Sequence, residues 1–532
     1  DGSMTESKPK RLRELFLECH DAKVFREKQN HEVLAHIFFR DPRFERALRR
    51  NVYFIIGEKG AGKTMVAQYL SIVSAEVDAS IVDFSTIDFE YFHKLIDEEF
   101  IRITPASKVW QVLVSSLLSN HLINAETNIF GDPRFASLRP LIDEVPKSAL
   151  VPEFPISLQV LAKLRAGGEV GDGLLSKLNW DAEGQVRSDS QEIRTPVHAL
   201  SQRFEQAFSQ IRTKKKHIIF VDGIDVKPAE LSQEKFVHHL RAFVRSVLHL
   251  NENVLSQIKG GGFVKIVLLL RPDIFNQMGL QNQGAKVSDN SLVLSWESST
   301  QQFKQFDLYR LSRDFLGRQS PKGSISGDAW DYYVSPDVYG GRVREHENLS
   351  FLEFLRYSWY RPRDIIRVLR MCQEKAVASE NVIDRSLFER ARQNFAGYLR
   401  SEVRDYWRFY FPDEDFALVQ RFFMELRSEP DFTYLAFLNA HQVLMRKLES
   451  EGGRQMPDSL RAPDTLLQML YSSNMICWQE ESEYSKIEQH WAFRERSANQ
   501  ADPLVAPASE YRVHWGLLKD LNLPRRFGTA VG

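Results

Sequence analysis

Over the first three hundred positions of this 532-residue chain, short uninterrupted apolar runs alternate with longer stretches at helical spacing. Val52-Tyr53-Phe54-Ile55-Ile56, Ser80-Ile81-Val82-Asp83-Phe84, Ile218-Ile219-Phe220-Val221, residues 264–270 and residues 291–296 are rich in β-branched, aromatic and other apolar residues. Runs of that length, without polar alternation, predict strands buried on both faces, as in a parallel sheet. Between them, Phe236, Leu240, Phe243, Val244, Val247 and Leu248 recur on one helix face, and Val109, Leu113, Leu117 and Leu118 predict an amphipathic helix. Strands alternating with helices predict an α/β fold.

The pattern divides the chain into four pieces. Residues 1–50 read as a helical lead-in whose Phe25, Leu34, Ile37 and Phe38 pack on the body that follows. Residues 51–300 read as that body, with a helical insertion over about 100–210 that includes glycine-rich 165–173 and a loop at 191–196. Residues 301–415 read as a helical lid: Leu352, Phe354, Leu355, Ile365, Ile366, Val368 and Leu369 hold helical spacing, and Pro362 suits a first turn. The aromatic cluster of Tyr406, Trp407, Phe409, Tyr410 and Phe411 predicts an interface core rather than a stacking platform, since only Arg404 and Arg408 interleave. Residues 416–532 predict a winged-helix-like unit, with helices at 416–426, 432–448 and 463–471. Its strands are expected at 475–478, 491–493 and 511–515, with a wing tip at 497–503.

Chemistry concentrates in Gly57-Glu58-Lys59-Gly60-Ala61-Gly62-Lys63-Thr64, which fits G-x-x-x-x-G-K-[ST] at every constrained position and sits between a strand and a helix opening at Met65. Glycines let such a loop turn its N–H groups toward phosphates, aided by the helix dipole. Lys63 is expected on the β- and γ-phosphates and the Thr64 hydroxyl on Mg²⁺. Some 160 positions on, the 218–221 strand ends in Asp222, a carboxylate placed to hold Mg²⁺ at the carboxyl end of a sheet. The next residue is Gly223, so the base that activates water falls to Asp225, with Glu230 the weaker choice, unless Asp225 only caps a helix. Arg271 ends the 264–270 strand and suits sensing of the γ-phosphate, or else pairs with Asp273 or Asp225.

Together these residues resemble the P-loop ATPases of the AAA+/STAND group. Trp359-Tyr360-Arg361-Pro362-Arg363 is similar to the G-x-P-R element of their lid, with the glycine replaced by Arg361. The resemblance implies that Pro362 lies near the adenine and that Arg363, unless a plain surface arginine, reports nucleotide state. It implies ATP and Mg²⁺ as ligands, a homo-oligomer, and control of a separate effector or regulatory protein, as in bacterial antiphage defence. It leaves open a DNA-binding ATPase of the origin-recognition or transposition type, and a site that binds nucleotide without hydrolysing it. A nuclease carboxylate cluster, a Cys–His pair and a guanine-reading N-K-x-D motif are not found in the sequence.

Composition narrows this reading. With 43% hydrophobic and 27% charged residues and a formal charge of −1, the chain has no overall pull toward nucleic acid or anionic lipid. Residues 416–532 carry 13 Lys and Arg against 15 Asp and Glu, which favours self-association or packing on the ATPase over DNA reading. Cys19, Cys372 and Cys477 are scattered and predict reduced thiols rather than a zinc site. No apolar run approaches a membrane span and no secretory leader is visible, so a cytoplasmic location is expected; Asp1-Gly2-Ser3 before Met4 reads as a cloning remnant. Adjacent His238 and His239 point about 100° apart on a helix and do not converge on an ion. Arg241 and Arg245 read as surface arginines, or as fingers for a neighbouring subunit.

Overall fold

The computed structural model describes residues 8–523, apart from 19–21, 74–76, 85–105, 126–134, 136, 145–196, 228–230, 281, 298–301, 341–347, 427–429, 454, 482–486, 500–502 and 507–509. The 165–173 stretch, the 191–196 loop and Glu230 fall outside these residues.

The five apolar runs form one parallel sheet: β1 Phe54–Gly57, β2 Val77–Asp83, β3 Lys216–Asp222, β4 Phe263–Leu270 and β5 Ser291–Leu294, in the order β2-β3-β4-β1-β5. Successive side chains feed opposite cores. Ile218 and Phe220 join the core on one face, and Ile219 and Val221 the core on the other. Each such burial contributes about 1.5–3 kcal/mol, which explains why the inner strands lack polar alternation. The fold is that of a P-loop NTPase, α/β with a parallel sheet and helical parts around it.

On one face lie α1 (His31–Ile37), α2 (Lys63–Val73) and the lid. Phe25, Leu34, Ile37 and Phe38 are buried there, and Phe38 stacks on Tyr69 at 3.9 Å. Buried Lys265 ties the lead-in to the sheet by donating to the carbonyls of Ala47, Arg49 and Val52 at 2.5, 2.7 and 2.9 Å. The opposite face carries α3 (Ala106–Ala125), α4 (Val197–Gln210) and α5 (Gln233–His249). Helix α3 departs from the amphipathic expectation. Wedged between α4, α5 and β3, it buries Gln111, Ser115, Ser116 and Ser119 along with its apolar residues.

The lid comprises helices Asp307–Gly317, Ala329–Tyr333 and Ser350–Tyr357, followed by α6 (Pro362–Lys375) and α7 (Arg385–Tyr410), with Pro362 in the first turn of α6. Trp407 and Phe409 are buried, and Arg404 and Arg408 both pair with Asp413.

The C-terminal region contributes α8 (Phe416–Glu425), α9 (Tyr434–Glu451) and α10 (Pro463–Ser472). Its antiparallel sheet runs β6-β9-β7-β8, from β6 (Asp431–Thr433), β7 (Ile476–Glu481), β8 (Ile487–His490) and β9 (Glu510–Val513). Two expectations are corrected. Residues 491–493 are not a strand: Trp491 leads into helix α11 (Ala492–Asn499), and the strand is the largely polar β8 just before it. Positions 497–499 close α11 instead of opening a wing tip. The apolar signal at Trp491 and Phe493 comes from packing on His514 and Tyr360, not from a sheet.

Candidate functional site

Strand β1 delivers the chain to the Gly57–Thr64 loop, and α2 begins at Lys63. Gly60 and Gly62 have φ of +88° and +99°, which bulkier residues adopt only under strain. A Cβ at Gly60 would also sit 3.2 Å from Cβ of Arg363, so this glycine permits the lid's close approach. Lys63 is 9% exposed, and its ammonium donates to the carbonyls of Gly57 at 2.8 Å and Glu58 at 3.3 Å. Burial pushes its pKa below the ordinary lysine value, with Asp225 and Asp222 pulling the other way.

The Thr64 hydroxyl donates to Oδ2 of Asp222 at 2.6 Å, and the Gly223 N–H donates to Oδ1 at 2.9 Å. Burial, together with the nearby charge of Asp225, raises the Asp222 carboxyl above its usual range despite the opposing Thr64, Lys63 and Gly223 contacts. Asp225 and Asp83, like Asp222, line a cavity of about 340 Å³. Asp83 is the β2 register partner of Asp222 and pairs with Arg26 at 2.8 Å and Lys23 at 3.3 Å. Sequence reasoning passed over Asp83. Its signal was available: a second strand, like β3, ends in a carboxylate. The Thr64 hydroxyl and the Asp222 carboxylate it touches are hard oxygen donors, a pair that fits Mg²⁺.

Apolar Leu34, Ile37, Phe38, Leu311, Phe315 and Ile366 line the same cavity. Lys59, Gly60, Ala61, Gly62, Met65, Pro362 and Arg363 line it as well. Arg271 does not. It forms a fork with buried Asp273 and, itself 13% exposed, lies against the rings of Tyr406 and Phe409. Pro272 starts a helix at once and sets Asp273 two residues away, so the local pair takes the guanidinium that the sequence assigned to the γ-phosphate. Arg241 is likewise engaged, on the Gln277 carbonyl, while Arg245 is exposed.

The loop's variable positions are gripped from afar. Glu58 pairs with Arg496 of α11 at 2.6 Å, and Lys59 pairs with Glu402 and Asp405 of α7 at 2.9 and 2.8 Å. Arg361 donates to the Lys59 carbonyl at 2.7 Å, the Arg363 N–H donates to the Gly60 carbonyl at 3.4 Å, and the Trp296 indole donates to the Ala61 carbonyl at 2.8 Å. Arg361 is 4% exposed, forks onto fully buried Asp364, reaches Glu402 at 3.2 Å and lies over the Trp359 ring at 4.6 Å. This residue is an anchor rather than a lost glycine. Counting G-x-P-R back from Arg363 puts the glycine at Tyr360, whose φ is +51°, while Arg361 is extended at −118°. Tyr360 tolerates that strained geometry while stacking on Arg494 at 4.3 Å.

Burial alone would raise the Glu402 carboxyl, but Arg361, Lys59 and Arg363 hold it down to about 2. Its folded pKa lies below its unfolded value. The clamp therefore stabilises the fold fully above about pH 4.5 and is lost as pH falls toward 2, an effect on the order of 3 kcal/mol. In urea titrations between about pH 5 and 3, Glu402→Gln is expected to lose less stability than the wild type. Equal losses would place the acid sensitivity elsewhere.

No protein-family model matches the chain, and no curated protein matches it. Among solved structures it is similar to the Aeropyrum pernix ORC1 protein determined in complex with DNA, at 14% identity over 93% of this chain and 97% of that one, with a TM-score of 0.36. Among the described residues, no helix is long and apolar enough to cross a membrane.

Proposed function

We propose that this chain binds and hydrolyses ATP with Mg²⁺ and works as a molecular switch, its nucleotide state setting how the lid and C-terminal region sit on the loop. The observation that carries the reading is the Thr64–Asp222 hydrogen bond of 2.6 Å beside buried Lys63, on a cavity that the apolar Leu34, Phe38, Phe315 and Ile366 also line. A base and sugar suit the apolar lining, near Pro362 and Ile366, and the triphosphate suits the loop. Lys63 exchanges its two carbonyl acceptors for phosphate oxygens, a charge-assisted and stronger bond. Mg²⁺ held by Thr64 and Asp222 would neutralise charge developing on the transferred phosphoryl group. Asp225 is the first choice to orient the attacking water, with Asp83 available once Lys23 and Arg26 let go.

What makes this a switch is the grip on Glu58, Lys59 and Gly60. Any movement of the loop around phosphates is transmitted to α11, α7 and α6, which hold those three residues. The winged-helix-like region at 416–532 then serves packing and release. Helix α10, the counterpart of a reading helix, exposes Asp464 and Thr465, which favours this role over duplex reading. The resemblance to AAA+/STAND ATPases extends the proposal to a homo-oligomer that controls a separate effector, antiphage defence being one such setting.

The test is phosphate release from Mg-ATP by the full chain, compared with Arg496→Ala and measured across protein concentration. Losing the Glu58–Arg496 pair frees the C-terminal region, so turnover is expected to rise at least about threefold, a barrier change under 1 kcal/mol. Specific activity that climbs with concentration supports the oligomer. No turnover in either protein at any concentration sinks the hydrolysis reading; equal turnover in both sinks the coupling.

A further inference from the structure

Three metal-ligating side chains from three elements meet at the end of the sheet opposite the phosphate loop. Asp78 on β2 and His217 on β3 are register partners, so their side chains stand side by side on one face. Helix α3 crosses that face and brings His121. Its Nε2 lies 3.9 Å from Oδ1 of Asp78, and its ring is 5.7 Å from that of His217 at a near-perpendicular 81°. One ligand atom from each residue falls within 4.8 Å of the other two. His217 is fully buried and the His121 side chain is 9% exposed, whereas Asp78 is 34% exposed.

We propose that Asp78, His121 and His217 hold a borderline divalent metal ion, Zn²⁺ by preference, which pins α3 to the leading ends of β2 and β3. Two imidazoles and one carboxylate are an N₂O set suited to such ions, with the remaining position open to water on the Asp78 side. Among the described residues, buried His121 Nε2 finds no hydrogen-bond partner, an unsatisfied state that a bound ion relieves. The Thr213 hydroxyl lies 3.2 Å from Nε2 of His217, the kind of outer contact that orients ligating histidines. Ligand atoms about 2.0–2.2 Å from an ion stand roughly 3.5 Å apart, so side-chain rotations closing about 1 Å suffice. The site is separate from the nucleotide's Mg²⁺ site. His217 and Asp222 are five residues apart on β3, roughly 16 Å along the strand. By comparison, Glu480, Glu488 and His490 also cluster, but both glutamates are exposed and His490 is stacked on Trp478.

The experiment uses the full chain, stripped with a chelator and held in excess Mg²⁺ so that hard oxygen sites are filled. Zn²⁺ is titrated by calorimetry and Co²⁺ by visible absorption. The proposal expects one equivalent bound at micromolar affinity or tighter, strong ligand-field bands from Co²⁺ in a site of low coordination number, and a Zn²⁺-dependent rise in the unfolding midpoint. Asp78→Asn, at a half-exposed position, and His121→Gln should each weaken binding at least about tenfold. Absence of stoichiometric binding, or of the cobalt bands in the wild type, overturns the proposal whatever the variants do. Stoichiometric binding that survives both substitutions also overturns it, by moving the ion elsewhere.

Discussion

On the proposed reading, Lys63→Ala should lower ATP turnover by about 10²–10³-fold or more and leave the ligand-free protein as stable as the wild type or more so. The two halves of this expectation have one cause. Without nucleotide, Lys63 is a buried cation whose hydrogen-bond acceptors among the described residues are the carbonyls of Gly57 and Glu58, and burial already depresses its pKa. Removing it relieves that desolvation while deleting the ammonium that the loop pattern assigns to the phosphates. ATP at a hundredfold excess over its Kd should stabilise the wild type by about 2.7 kcal/mol and the variant by much less. Because the folded pKa lies below 10.5, the unfolded chain binds the proton more readily. Wild-type stability should therefore rise with pH up to about 10.5, and this contribution should vanish in the variant. Retained turnover would show that the loop does not bind the reacting phosphates. Lost turnover accompanied by unfolding would make Lys63 a structural residue only.

How much of this was legible in the sequence follows the range of the physics involved. The phosphate loop, the Asp222 strand and the parallel sheet are set by local requirements: positive φ at Gly60 and Gly62, and side chains buried on both faces of inner strands. Packing of Phe25, Leu34, Ile37 and Phe38 was readable for the same reason, as an apolar stripe must be covered. Strand β8 was not. Its Glu488, Gln489 and His490 give a two-stranded edge no hydrophobic signature, while neighbouring Trp491 and Phe493 look strand-like and open a helix. The partner of Arg271 turned on how sharply the chain bends at Pro272, which composition does not encode. Hidden most deeply was the pairing of Glu58 with Arg496, 438 positions apart, since an ion pair leaves no periodicity in either segment. The variable positions of the phosphate loop, the ones its pattern leaves blank, are where this chain records its own domain arrangement.

Arg361→Ala should destabilise the folded chain by about 3–5 kcal/mol and weaken ATP binding although Arg361 does not line the cavity. Among the described residues, the substitution leaves Asp364, which is completely buried, with only the Trp359 N–H at 2.9 Å and the Tyr398 hydroxyl at 3.4 Å as donors. It also removes the bond to the Lys59 carbonyl and one of the three positive charges acting on Glu402, leaving Lys59 and Arg363. Removing one member of a buried pair is harsher than removing both, because the survivor keeps its desolvation penalty. Adding Asp364→Asn to Arg361→Ala should therefore recover about 1–3 kcal/mol, since the amide still accepts from Trp359 and carries no charge. Arg361→Lys should fail almost as badly as alanine, because one ammonium cannot span both Asp364 oxygens as the guanidinium fork does at 2.6 and 2.9 Å. Urea denaturation supplies the energies and ATP titration the coupling. A loss below about 1 kcal/mol for alanine would mean that water reaches Asp364 and that the lid is anchored elsewhere. Full stability with weakened ATP binding would make Arg361 a reporter of the loop rather than its anchor. If the double variant regains stability but not ATP affinity, the two roles of this residue separate: its charge holds the lid together, and its bond to Lys59 carries the state of the phosphate loop into it.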